Sequence, residues 1–145
     1  MKRFALVVML LVALLAVAMP VVAQNCQELP GAIGHSTTFG SGWLDLLPPI
    51  NFKKGEKLRL WIDGDAQKVL VRLLPSRSGP DDEVGLLPGI HNVESNKPVE
   101  ITLSADYNDI KQISVHGGGN PWGHHSLGGD NGAATLESVE RCSSP

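Results

Sequence analysis

The sequence predicts an all-β fold, an antiparallel β-sandwich or jelly roll of about seven to eight strands with its termini joined by a disulfide. Three observations predict it. Short runs of alternating apolar and polar residues recur along the chain, separated by turn residues. Helical periodicity is nearly absent after residue 23. The two cysteines, Cys26 and Cys142, stand near the two ends of the segment that follows an export-type leader.

The leader reads as a signal peptide over residues 1–23. Lys2 and Arg3 form a basic start, Phe4 to Met19 is an unbroken apolar run, Pro20 breaks it, and Val21-Val22-Ala23 offers a small-residue cleavage site. The run is short for a membrane span, which needs about 20 apolar residues. Gln24-Asn25 before Cys26 does not suit lipid attachment. Residues 24–145 are then expected as a single secreted or periplasmic β-sandwich domain with no membrane span. An oxidising compartment permits the Cys26–Cys142 bridge, which would tie the termini together and stabilise by about 4–5 kcal/mol in the chain-entropy model.

The strands follow in order. Thr37 to Leu47 carries Phe39 and Trp43 and is expected to end at Pro48-Pro49. Lys57 to Ile62 alternates, with Leu58, Leu60 and Ile62 inward and Lys57, Arg59 and Trp61 outward. Asp63-Gly64-Asp65 supplies turn chemistry, so Lys68 to Leu74 is expected to form a hairpin with the strand before it. Val69, Val71 and Leu73 share one face of that strand; Leu70, Arg72 and Leu74 share the other, which implies a central position or a covered outer face. A polar connection runs from Pro75 to Pro88. A short strand is expected within Gly89 to Glu94 and a stronger one at Val99 to Leu103. Lys111 to His116 places Ile113 and Val115 inward and Gln112, Ser114 and His116 outward. Ala133 to Cys142 is the last strand, paired with one near Cys26.

Charge excludes some partners. The full chain has a formal net charge of −3; without Lys2 and Arg3, ten basic groups face fifteen acidic ones, a net of −5. That field disfavours nucleic acid and anionic membranes.

The segment with the most unusual chemistry is the loop Gly117 to Gly132, preceded by His116. Seven of its sixteen residues are glycine, and it carries Asn120, Trp122, His124, His125 and Asp130. Structureless loops of that length are uncommon inside compact domains and are usually functional or disordered. His116-Gly117-Gly118-Gly119 matches the letters of an esterase oxyanion element, but no G-x-S-x-G nucleophile elbow accompanies it and the helices of that fold are missing, so hydrolase chemistry of that kind is excluded. His116, His124 and His125, with Asp130, are the candidate metal ligands. Oxygen clusters at Asp63/Asp65, Asp106/Asn108/Asp109 and Asp130/Asn131 leave room for a structural calcium, although none fits the EF-hand spacing. Among the tryptophans Trp43, Trp61 and Trp122, the indole of Trp122 offers a flat face for stacking on a sugar ring.

Gln112 to Gly118, then Pro121-Trp122-Gly123, Leu127-Gly128 and Asn131-Gly132-Ala133 leading into the last strand, resemble small exported bacterial β-sandwich proteins of uncharacterised role. The strand pattern is distantly similar to galactose-binding-like jelly rolls, which implies carbohydrate binding without supplying site residues. The expected function is a non-catalytic module that binds carbohydrate or envelope glycan, with Trp122 stacking and Asn120, His124 and Asp130 orienting hydroxyls. Two alternatives stay open. One is a protein-interaction or structural envelope module using an Arg59/Trp61/Arg72 sheet face. The other is a small metal-binding protein or metalloenzyme using the loop histidines.

Overall fold

The computed structural model describes residues 24–37, 40–79, 85–117 and 132–143. The expected signal peptide, residues 1–23, lies outside them. The described residues form nine strands and no helix: β1 (Cys26–Glu28), β2 (Ala32–Ser36), β3 (Ser41–Phe52), β4 (Lys57–Gly64), β5 (Lys68–Pro75), β6 (His91–Asn92), β7 (Val99–Thr102), β8 (Tyr107–His116) and β9 (Ala134–Cys142). They build two antiparallel sheets, one ordered β1-β9-β4-β7 and the other β2-β3-β8-β5-β6. Among these residues no helix is long and apolar enough to cross a membrane.

The two sheets share one core. Leu58, Leu60, Ile101 and Val139 come to it from the four-stranded sheet, and Leu44, Val71, Leu73, Ile113 and Val115 from the five-stranded one. Leu58, Leu60, Ile101, Ile113 and Val115 are inward positions that the alternation marks, because successive side chains of a strand leave opposite faces. At Gly42 the two sheets approach each other closely. A Cβ there would lie 2.5 Å from the backbone nitrogen of Leu136, so only a residue without a side chain lets β3 pass β9 at that point.

Three expectations need correction. First, β4 and β5 are not a hairpin; they belong to different sheets. The short connection after Gly64 carries the chain across the core, so that Leu58 and Leu60 face Val69, Val71 and Leu73 instead of lying beside them. Apolar faces of this kind are buried equally well either way, so alternation cannot separate an arch from a hairpin. Second, β3 does not stop at Pro48-Pro49. Its pairing with β8 is one-to-one up to Asp45 and resumes at Ile50, and the prolines sit in the break. Proline has no N–H to give, so it is accommodated where the ladder is already interrupted. Third, Ser114 and His116 are buried rather than outward to solvent, and so is Arg72. They lie on the outer face of the five-stranded sheet, as the alternation places them; around them Leu70 and Leu74 are also buried, so the face is covered along β5 and the end of β8, whereas Asp45 toward the β3 side stays exposed. The Arg59/Trp61/Arg72 face therefore does not exist: Arg72 is on the other sheet from Arg59 and Trp61.

The Cys26–Cys142 disulfide joins β1 to β9 where the two residues are direct partners in the ladder. Next to it, Arg141 grips Glu56 with a fork. Nε and Nη2 donate to Oε1 at 2.9 and 2.7 Å, and Nη2 also reaches Oε2 at 2.9 Å. The guanidinium lies 5.3 Å from the centroid of the Phe52 ring. At the other end of the β4–β9 ladder, Gly64 pairs with Ala134, just after the glycine loop. Seven strand steps of about 3.3 Å put the disulfide and the loop root roughly 20–25 Å apart.

Candidate functional site

Both roots of the glycine loop are held by backbone bonds at one place. The Gly40 carbonyl accepts from Gly117 N at 3.0 Å and from Ala134 N at 3.1 Å. Ala66 N donates to the Ala133 carbonyl at 3.0 Å, and Asp65 Oδ1 accepts from Ala133 N at 2.8 Å. The β4–β5 connection is thus tied to the C-terminal root of the loop. The fit is close: a Cβ on Gly132 would meet the Asp65 carboxylate at 2.7 Å.

Beside these roots a cleft of about 390 Å³ opens, lined by Trp61, Asp63, Asp65, Glu94, Asn96 and Glu137 among others. One wall comes from β4 and its turn, a second from the β6–β7 connection, and the third from β9. Glu137 is there because of a bulge. Trp61 pairs with Ser138 and Ile62 with Leu136, so Glu137 is the extra residue opposite that step. A bulge of this sort turns the local side chain out of the regular alternation, and here it turns an exposed carboxylate toward Trp61.

Trp61 is half-buried. The Arg59 guanidinium stands 5.9 Å from its ring centroid, a cation–π distance. Arg59 is itself fixed by Glu100 and Glu140, each at 3.1 Å, and Lys57 adds a second contact to Glu100 at 3.3 Å. The lattice of charges on this sheet face therefore holds the indole in a set position. Across the cleft, Lys97 and Glu94 pair at 2.6 Å, which lowers the Glu94 carboxyl and raises the Lys97 ammonium from their usual ranges. The lysine charge is thereby matched locally. Asp63, Asp65 and Glu137 leave the cleft acidic.

The expected site residues Asn120, Trp122, His124, His125 and Asp130 lie outside the described residues, as does the Asp130/Asn131 oxygen pair. His116 lies within them. It ends β8, with Nε2 3.1 Å from Ser114 Oγ. Burial first and the Arg72 charge second push its pKa down to about 3, so the ring is neutral. A neutral imidazole is the ligating form, but a guanidinium alongside works against bringing a metal cation to it. Among the described residues no three His, Cys, Asp or Glu side chains form a group able to hold a metal ion. In the other two oxygen clusters, Asp65 and Asp106 give a carboxylate oxygen to a backbone N–H. Asp106 Oδ1 accepts from Lys54 N at 2.8 Å, and Asp109 N donates to Asn51 Oδ1 at 2.7 Å with the Asp109 backbone left-handed at φ 56°.

Two features have no counterpart in the sequence expectations. One is Glu137 with its bulge, although a signal exists: the inward residues Leu136 and Val139 are three apart in a strand whose period is two. The other is the β6–β7 wall with Glu94, Asn96 and Lys97, which reaches Trp61 only through the sheet order. In comparisons with protein-family models, curated proteins and solved structures, nothing matches this chain.

Proposed function

We propose that this chain is an exported, non-catalytic β-sandwich module of jelly-roll type that binds neutral glycan of the cell envelope at its glycine-loop end. The observation that carries this reading is the Trp61 cleft beside the fixed loop roots. An indole supplies a flat apolar surface that suits the C–H face of a pyranose ring. The surrounding carboxylates and amide suit hydroxyl donors, and a mostly polar lining suits a hydroxyl-rich ligand better than an apolar one. Trp122, Asn120, His124 and Asp130 would add to this surface from the loop. The acid lining favours neutral over uronate-bearing glycans, since like charges brought together cost binding energy.

The test is calorimetric titration of the full chain with neutral and uronate oligosaccharides, repeated with Trp61→Ala and with Trp122→Ala. Neutral glycans are expected to bind. Removing either indole is expected to weaken that binding roughly tenfold, the usual cost of truncating an aromatic anchor. Wild-type protein that binds no glycan, or that binds equally well without Trp61 and without Trp122, would sink the reading.

A further inference from the structure

We propose a second sugar-stacking site, independent of the cleft, on the outer face of the five-stranded sheet and built from Trp43, Asp45 and Gln112. Trp43 leaves β3 on the face opposite Leu44, which is in the core. Its register partners are Gly34 on the edge strand β2 and Ser114 on β8. The indole lies across Gly34. A Cβ there would come within 2.5–2.6 Å of Cε2, Cζ2 and Nε1 of the ring, so the bare glycine is what lets the ring settle on the edge strand. The ring is also held at its rim. Nε1 donates to Asp45 Oδ2 at 3.2 Å, and Asp45 Oδ1 accepts from Gln112 Nε2 at 2.8 Å.

This arrangement suits one pyranose unit of a neutral oligosaccharide. Stacking needs a flat ring set in place beforehand, because ordering it on binding would cost affinity. It also needs planar polar groups at the ring's edge for the equatorial hydroxyls. Asp45 is exposed, and Trp43 and Gln112 are half-buried. Each Asp45 oxygen has accepted one bond in this network, and a carboxylate offers about four lone-pair sites. Capacity for two sugar hydroxyls remains. An aromatic ring over an edge glycine also protects the strand pairing. That role alone asks nothing of a solvent-exposed Asp45–Gln112 pair, whose hydrogen bonds add little to stability.

The test uses the full chain carrying Trp61→Ala, so that the cleft's own binding is weakened and the second site weighs more in what remains, and titrates it with neutral oligosaccharide. Residual binding is expected. Gly34→Ala, which displaces the ring without altering Trp43, Asp45 or Gln112, is expected to weaken it about tenfold. Gln112→Ala, a surface change that leaves the ring on Gly34, is expected to weaken it several-fold at unchanged melting temperature. No residual binding, or residual binding indifferent to both changes, overturns the second site and leaves the cleft reading standing. Residual binding in the Trp61→Ala protein that only Gly34→Ala removes, together with a collapse in melting temperature, assigns Trp43 a purely structural role and also overturns it.

Discussion

His116 is the last residue of β8, at the root of the loop, and among the described residues it is the one histidine whose pKa falls to about 3. The sign of its effect on stability follows from linkage. In the unfolded chain the ring takes a proton near pH 6.5; in the folded chain burial and Arg72 prevent that until about pH 3. Between these values protons bind the unfolded state more strongly, so stability is full above about pH 6.5 and falls as the pH drops. From pH 7 to pH 5 this one site costs about 2 kcal/mol. His91, also lowered by burial, adds to the same slope. Glu94 and Asp106, held below the usual carboxylate range by Lys97 and the Lys54 N–H, act in the same direction, but only below their ordinary values of 4.5 and 3.8 and so outside this window. His116→Gln, which stays neutral throughout, is therefore expected to remove about 2 kcal/mol of the loss. Urea midpoints of both proteins at pH 7 and pH 5 check it, and an unchanged pH slope in the variant would contradict the buried neutral ring.

At the scale of elements, β9 does two tasks with one irregularity. Leu136 and Val139 both reach the core only because the strand bulges at Glu137, and the bulge in turn aims Glu137 at the cleft. Deleting Glu137 leaves Leu136 and Val139 two apart, which matches a regular strand. The deletion is thus expected to keep cooperative unfolding, with a stability change of about 1 kcal/mol or less, while neutral-glycan binding falls several-fold. Thermal unfolding together with calorimetric titration measures both. Loss of the fold would mean that the bulge sets the register of the whole strand. The same element marks what the sequence makes legible. Period-two alternation identifies the inward faces of β4, β7 and β8, because burial of a side chain is a local property of its strand; for β5 it marks two apolar faces without choosing between them. It is silent on partners, so β5 reads as the neighbour of β4 when it lies across the core from it. On covering it speaks only where apolar residues mark both faces: Leu70 and Leu74 flag the face of β5 that holds Arg72, whereas Ser114 and His116 on β8 read as outward with nothing to mark that they are buried. Of the candidate site, Trp61 is legible as an outward aromatic on a polar face. Its neighbours Glu94 and Asn96 are not, since only the order β9-β4-β7 brings the β6–β7 connection alongside.

Across the whole molecule the stabilising clamp and the proposed binding end are separated by the length of the β4–β9 ladder. Cys142 pairs with Lys57 at one end and Ala134 with Gly64 at the other. The clamp end also holds the Arg141–Glu56 fork, whereas the loop roots depend on Gly40, Asp65 and Ala66. Among the described residues, none of those lining the cleft is a register partner of β1, whose pairing stops at Glu28 opposite Glu140. Removing the crosslink therefore acts mainly on the unfolded chain, by restoring the freedom of a loop closed over 116 positions. The double change Cys26→Ser and Cys142→Ser is expected to cost about 4–5 kcal/mol, which for a domain of this size lowers the melting temperature on the order of 10–20 °C. Against a typical total of about 5–15 kcal/mol the variant still folds at low temperature, where ligand binding can be measured. There, neutral-glycan affinity is expected to stay within about twofold of the parent, because the loop roots keep Gly40, Asp65 and Ala66, and Arg59 beside Trp61 keeps Glu100 even where Glu140 pairs with β1. Scanning calorimetry gives the first quantity and titration at 10 °C the second. A fall in affinity as steep as the fall in stability would mean that the two ends are coupled through the core, and the ladder could then no longer be treated as a rigid spacer between clamp and cleft.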